Sequence, residues 1–296
     1  MPDIPRRAVA IINPATRGDV KRITDFLNLS APRETTIETF VTERASHARE
    51  LAMQHGQGAD LLIAVGGDGT VGEVASAAIA HGVTMGIVPG GSTNIVAKDL
   101  GIPTNAHEAS RLLFGAHQLR TIDAGVHGEH VFLHMAGAGL DSQLFDLADP
   151  AMKRKVGWMA YLPAAFKAFR RPMSRFTVRS EEMLLEGVRS PMVLVANGAS
   201  VITPQLQLDS RIRYDDGLLD VIVVTATSPV ELARVVGSMA MRKAFDSPFV
   251  TTFTTRDVLI EAEPDIAVQL DGDVVGKTPV RFTVLPEAIT IVVPRR

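Results

Sequence analysis

The chain has 296 residues, 46% hydrophobic and 21% charged, with a formal net charge of −3 and no cysteine. That length suits two domains of ordinary size with well-filled cores. The weak negative charge excludes a general nucleic-acid binder, and the absence of thiols excludes disulfides, thiolate metal sites and cysteine nucleophiles.

In chain order, Met1–Arg7 lead into an apolar segment, Ala8–Ile12, too short for a signal-peptide core. Nowhere do about 18 apolar residues run together, so no transmembrane helix is expected. The expectation is a soluble, cytoplasmic protein able to touch the inner membrane face peripherally. From residue 8 to about 123, strands Ala8–Ile12, Thr36–Val41, Leu61–Val65 and Met85–Val88 alternate with helices Asp19–Leu29, Ser46–His55 and Val71–His81. This alternation predicts βαβ units: a Rossmann-like α/β domain over 1–124 with a parallel sheet. Ligands of such sheets bind beyond the carboxyl ends of the strands. Three strands end there in conspicuous loops: Asn13-Pro14-Ala15-Thr16-Arg17-Gly18, Gly66–Thr70, and Pro89-Gly90-Gly91-Ser92-Thr93-Asn94. All three are expected on one sheet edge.

The middle loop, Gly66-Gly67-Asp68-Gly69-Thr70, joins a strand to a helix start near Thr70. Glycines let the main chain approach a phosphate, and the helix dipole adds partial positive charge. It is neither a Walker A loop nor a G-x-G-x-x-G fingerprint. An acid inside a phosphate loop needs either a nearby cation or main-chain hydrogen bonds, so Asp68 points to metal-bound phosphates. Thr70 and Glu73 also read as a T-x-x-E capping box, which is compatible with phosphate binding.

From about residue 125 the pattern changes. Phe176–Arg179, Met192–Ala196, Leu219–Val224, Val258–Glu261, Val280–Val284 and Ile289–Val293 read as antiparallel strands of a β-rich, sandwich- or barrel-like domain over 125–284. Residues 285–296 are candidates to pack back onto the first domain, and an active cleft is expected between the halves. Ser228-Pro229-Val230-Glu231 opens a helix to about Lys243. Gln269-Leu270-Asp271-Gly272-Asp273 reads as an Asp-Gly hairpin turn, and Asp215-Asp216-Gly217-Leu218 as a β-turn. His127, His130 and His134 show no metal-ligand spacing and read as ordinary strand or loop residues.

Residues 151–180 carry eight basic side chains and no acid, interleaved with Trp158, Tyr161, Phe166 and Phe169. Pro163 argues against one continuous helix there. This composition suits peripheral contact with an anionic membrane surface, or equally a packed helix with a solvated basic face.

Asn13-Pro14, Gly66–Thr70 with Glu73, Pro89–Asn94, Leu100-Gly101-Ile102-Pro103, Asp216–Asp220 and Asp271-Gly272, in this order, resemble the motif set of the diacylglycerol kinase catalytic family, which includes bacterial soluble lipid kinases and sphingosine and ceramide kinases. The resemblance implies an NAD-kinase-like two-domain fold and ATP- and Mg²⁺-dependent phosphorylation of a lipid hydroxyl, a step of phospholipid metabolism. It implies ATP contacts from Asn13, Thr42, Gly66, Gly67, Asp68, Gly69, Thr70, Val71, Gly72, Glu73 and Ser92. Catalytic roles fall to Asp68, Asp271 and Asp273, with Asp271 as the general base. Asp271→Asn is expected to keep the fold and cut turnover by roughly 10²–10⁴. Mg²⁺ at the phosphates would be held through Asp68, with Asp123 through water. A structural Mg²⁺ would take the Asp216 carboxylate and the carbonyls of Arg213 and Leu218.

Two positions depart from the family pattern: Ile95 follows Asn94 where an Asp is common, and Asp273 stands where Glu is usual. The acceptor lipid is therefore open, with diacylglycerol or a related lipid expected. The other readings are a kinase of a soluble substrate, as in NAD kinase, and a non-catalytic nucleotide or lipid sensor. The oligomeric state is also open, a homodimer included.

Overall fold

The computed structural model describes residues 4–16, 19–139, 173–201 and 207–295. Contacts divide the chain into two compact units: the residues through Ala124 together with those from Pro286 onward, and Gly125–Leu285.

In the first unit, β1 (Arg7–Ile12), β2 (Thr36–Val41), β3 (Leu61–Gly66) and β4 (Thr84–Pro89) form a parallel sheet in the order β2-β1-β3-β4. Every residue of β3 is buried, as expected for a central parallel strand covered on both faces. The helices are α1 (Val20–Ser30), α2 (His47–His55), α3 (Asp68–His81), α4 (Ile95–Asp99) and α5 (Ala106–Phe114). Asp19 caps α1 by accepting from the Lys21 N–H at 3.1 Å.

The start of α3 differs from the sequence expectation. Gly67 is the N-cap, and its carbonyl accepts from the Val71 N–H at 3.0 Å. Thr70 and Glu73 therefore lie inside the helix and form no capping box. Thr70 Oγ1 instead accepts from Asn13 Nδ2 at 3.2 Å, and Glu73 Oε2 accepts from the Arg49 N–H at 3.2 Å. The bare glycines let the helix begin directly off the strand, one turn earlier than the threonine suggests.

In the second unit, an antiparallel sheet runs β12 (Val250–Thr255), β11 (Leu219–Val224), β10 (Met192–Ala196), β7 (Met135–Ala138), β14 (Ala267–Leu270), β15 (Asp273–Lys277). It faces β13 (Asp257–Glu263), β8 (Ser174–Arg179), β9 (Leu184–Ser190) and the first part of β16 (Val280–Pro294) across a core that includes Phe132, Phe176, Val195, Val221, Ile260 and Phe282. The outer face of the six-stranded sheet packs Leu194, Ile222 and Val224 against Leu232, Val235 and Met239 of α6 (Pro229–Ala240). With both faces covered, all of β10 is buried. Helix α6 begins with the expected capping box: Ser228 Oγ accepts from the Glu231 N–H at 3.3 Å, and Glu231 Oε2 accepts from the Ser228 N–H at 3.1 Å. It ends at Ala240 rather than near Lys243, and Arg242 takes a left-handed φ of 58°.

The segments read as separate strands at 280–284 and 289–293 are one strand, β16. Pro286, and Glu287 at φ 49°, interrupt its apolar alternation. Its pairing changes there from antiparallel with β13 at Val280–Thr283 to parallel with β4 at Ile291. Of the basic stretch, residues 151–172 lie outside the described residues, and Arg175 and Arg179 lie exposed on β8. No helix among the described residues is long and apolar enough to cross a membrane.

Candidate active site

The loops after β1, β3 and β4 meet because their strands are neighbours in register. Asn13 N–H donates to the Val65 carbonyl at 2.9 Å, and Gly90 N–H to the Gly66 carbonyl at 2.8 Å. Close approach explains the glycines. A Cβ on Gly91 would lie 2.7 Å from the Cα of Gly67, and one on Gly66 would lie 2.5 Å from the Thr70 side chain. Asn94, at a left-handed φ of 49°, closes the third loop: its Oδ1 accepts from the Gly91 N–H at 2.9 Å and its Nδ2 donates to the Gly91 carbonyl at 2.8 Å. Ser92 is exposed at the tip of that loop.

Asp68 occupies the first turn of α3, where the helix dipole favours a carboxylate. Its Oδ1 accepts from the Val96 N–H at 3.4 Å, so the acid inside the glycine loop has a main-chain partner at the start of α4. Ile95, the first residue of α4, is buried there. Gly69, Val71 and Gly72 follow within the first turns of α3, Val71 and Gly72 buried. Thr42 is buried at the end of β2, its N–H donating to the Ile12 carbonyl at 2.9 Å. Asp123, on β5 (His117–His127), is buried, and its Oδ1 accepts from the Glu287 N–H at 2.7 Å.

In the second unit, Asp271 and Gly272 form the two-residue turn of the β14–β15 hairpin, both with positive φ (48° and 101°), as a type I′ turn requires. The carboxylate of Asp271 is cradled by three consecutive main-chain donors. Its Oδ2 accepts from the Leu133 N–H at 2.8 Å, and its Oδ1 accepts from the His134 and Met135 N–H groups at 3.1 and 2.8 Å. Asp271 is thus both the turn residue and a fixed acceptor. Asp273 is solvent-exposed at the start of β15, yet crowded enough on its protein side that desolvation raises its carboxyl pKa.

Arg213, Asp216 and Leu218 share one turn. Asp216 Oδ1 accepts from the Leu218 N–H at 3.1 Å, and Arg213 Nε pairs with Asp215 at 3.2 Å. Among the described residues no three His, Cys, Asp or Glu side chains converge as a metal cluster. A cation at this turn or at Asp68 would depend on main-chain carbonyls, waters and phosphate oxygens. The donors present are hard oxygens, which fits the sparsely protein-bound mode of Mg²⁺. Behind the turn, buried Asp220 has its carboxyl pKa pushed up to about 7 by burial, then by the charges of Asp216 and Asp209. Asp209 goes the other way: burial would raise it, but hydrogen bonds from the Arg211 side chain and from the Arg211 and Phe245 N–H groups hold it below its ordinary value.

His134, an ordinary strand or loop residue by its sequence, is buried with both ring nitrogens engaged. Nδ1 lies 2.8 Å from the Tyr214 hydroxyl and Nε2 contacts the Ser200 carbonyl. His127, by contrast, makes one exposed contact to the Arg281 carbonyl, and His130 is exposed. No local signal separates the three, because the partners of His134 are remote in sequence.

Comparison with known proteins identifies the family and the fold. The family described as "Diacylglycerol kinase catalytic domain" matches residues 7–127, and the "YegS C-terminal NAD kinase beta sandwich-like domain" matches 134–293. A Pseudomonas aeruginosa protein named "Probable lipid kinase YegS-like" is 31% identical over 79% of this chain and 76% of its own. A Bacillus subtilis "Diacylglycerol kinase" is 28% identical over 98% of this chain and 97% of its own. A Bacillus anthracis diacylglycerol kinase crystal structure superposes with a TM-score of 0.77 at 23% identity, covering 99% of this chain and 98% of its own, which speaks to the fold alone. The α/β unit with its parallel sheet and the β-sandwich unit are the architecture of that group, and the chain belongs to the diacylglycerol kinase catalytic-domain family.

Proposed function

We propose that the chain is an ATP-dependent lipid kinase that transfers the γ-phosphoryl group to a lipid hydroxyl, with diacylglycerol or a related lipid as acceptor. The observation that carries this reading is the meeting of three loops at the carboxyl ends of adjacent parallel strands, with Gly66, Gly90 and Gly91 so closely approached that a Cβ would clash at 2.5–2.7 Å. Phosphoryl transfer asks little covalent chemistry of a protein and much positioning and charge stabilisation. In this reading the free main-chain N–H groups at the start of α3, those of Gly67 and Gly69 among them, serve the phosphates, while Gly66, Val71 and Gly72 shape the loop and the first turns behind them. Asn13, Thr42, Thr70 and Ser92 add polar contacts, and Glu73 braces α3 against α2.

Mg²⁺, when bound, neutralises charge on the phosphates. Asp68 would hold it, with Asp123 through water, while Asp216 with the Arg213 and Leu218 carbonyls would hold a second, structural ion. Asp271 accepts the proton of the lipid hydroxyl, its orientation set by the three-donor cradle. Asp273 supports it from the same hairpin. The protein works from the cytoplasm on the inner membrane face, with residues 151–180 as its anionic-lipid contact.

A panel of diacylglycerol, monoacylglycerol, ceramide and sphingoid bases, incubated with labelled ATP and Mg²⁺, tests the reading. Label transfer to one lipid class is the expected result. ATP consumption indifferent to lipid would instead indicate a soluble acceptor, and no consumption with any lipid would indicate a sensor.

A further inference from the structure

We propose that His134 and Tyr214 are positioning residues that set the carboxylate of Asp271; this rests on the reading that Asp271 takes part in phosphoryl transfer. The carboxylate points where the Leu133–Met135 main chain directs it, because three successive N–H groups of that segment bind its two oxygens. Residues 133 and 134 lie between β6 (His130–Phe132) and β7, so no strand ladder holds them. Their restraint comes from elsewhere. The Leu133 carbonyl accepts from Asn197 Nδ2 at 2.8 Å, and the His134 carbonyl accepts from the Asn197 and Gly198 N–H groups at 2.8 and 2.9 Å.

The imidazole supplies a further restraint, and its hydrogen-bonding roles follow from its partners. A carbonyl oxygen only accepts, so Nε2, facing the Ser200 carbonyl, carries the proton. In the neutral ring Nδ1 is then the acceptor, and the Tyr214 hydroxyl donates to it at 2.8 Å. Both side chains are buried, at 3% and 7% exposure, so water does not readily substitute for either bond. Gly198 lies directly against the pair. A Cβ there would fall 2.2 Å from both His134 Nδ1 and the Tyr214 oxygen. Tyr214 in turn precedes Asp215-Asp216-Gly217. The pair therefore ties the Arg213–Leu218 turn to the segment that aims Asp271.

A buried His–Tyr pair that merely stabilised the fold would lower the unfolding temperature and leave kcat per folded molecule alone. A positioning pair lowers kcat with little change in KM, and it acts only through Asp271. The test uses the full chain with diacylglycerol in mixed micelles, labelled ATP and Mg²⁺, alongside amide proton–nitrogen spectra and thermal unfolding. Tyr214→Phe is expected to cut kcat about tenfold with the KM for ATP held, since small misplacements of reacting groups have effects of this order or larger. Added to Asp271→Asn, it should cost nothing further. The amide resonances of Leu133, His134 and Met135 should shift, and His134→Gln, which keeps a donor and an acceptor, should retain more turnover than His134→Ala.

Unchanged kcat in folded Tyr214→Phe, or losses that multiply in the double variant, would overturn the proposal. If Tyr214→Phe does not fold, the comparison of His134→Gln with His134→Ala decides by the same kcat criterion. If the wild type transfers no phosphate to the lipid, the kinase reading fails on this probe. The amide spectra of the His134 and Tyr214 variants then still decide the positioning link, which unmoved 133–135 resonances would break.

Discussion

The two units build their candidate chemistry in opposite ways. In the first, the site is largely main chain: loops at the ends of β1, β3 and β4, the latter two glycine-rich, each written in five or six consecutive residues. In the second, the one acid proposed to meet the lipid is held by N–H groups well over a hundred residues away in sequence, themselves held by Asn197, Gly198 and the His134–Tyr214 pair. A site made of backbone donors needs only local geometry and absent side chains. A site made of one oriented side chain needs a tertiary neighbourhood. The two kinds should therefore fail differently when mutated.

The largest effect belongs to the second kind. Asp271→Asn should reduce turnover by roughly 10²–10⁴ if Asp271 is the base. The cradle revises the expectation that the fold is untouched. Asn keeps one accepting oxygen but turns an NH₂ toward main-chain donors, which costs about 1–3 kcal/mol for the polar group left unsatisfied. Turnover per folded molecule and the unfolding midpoint should both fall; a drop in stability alone would make Asp271 a staple only.

Gly91→Ala tests the first kind. Its Cβ meets the main chain of Gly67 at 2.7 Å and Asn94 Oδ1 at 3.0 Å, so the two loops must part. A loss of about 10²-fold in kcat/KM is expected from displaced phosphate donors. Equal ATP affinity in equilibrium binding would place the nucleotide elsewhere.

Asp220 offers a pH-dependent contrast, because only tertiary burial makes it unusual. Its folded pKa of about 7 lies above the ordinary carboxylate value, so the folded state holds a proton that the unfolded chain releases. Stability should therefore fall as pH rises from about 4 to about 7 and level off above that, by up to about 4 kcal/mol. Asp220→Asn should remove this slope and be the more stable protein at pH 8. Parallel unfolding curves for the two proteins across that range would contradict the burial argument.

The smallest effect is a local device inside the second unit. Ser228→Ala removes the α6 cap and should cost about 1 kcal/mol without altering turnover, as read by denaturant unfolding. A change in kcat would mean that α6 is less separable from the site than its local capping suggests.

Legibility followed the same division. In the first unit β1–β4 and α1–α3 are legible because apolar period agrees over short windows, as for β1 and β3, whereas α4, α5 and β5 carry too weak a local pattern to be read. At α3 the T-x-x-E pattern misleads, because the glycines before it supply the freedom that starts the helix earlier. In the second unit Met192–Ala196 and Leu219–Val224 were legible as apolar runs. β9, whose Leu184–Ser190 sequence mixes charge and glycine, and β7, Met135-Ala136-Gly137-Ala138, carry little alternation and depend on their neighbours for identity. β16 reads as two strands because Pro286 breaks the apolar alternation, and a proline marks a kink as readily as a turn.

By itself, then, the sequence determined the fold class, the three loops and the lipid-kinase family, because these rest on residues adjacent in the chain and on motif order. Only the tertiary structure decided that Asp68 has a main-chain partner, that Asp271 sits in a three-donor cradle, and that His134 differs from His127 and His130. Hydrogen bonds between remote residues form only once packing brings donor and acceptor to about 3 Å, and no local pattern encodes that meeting.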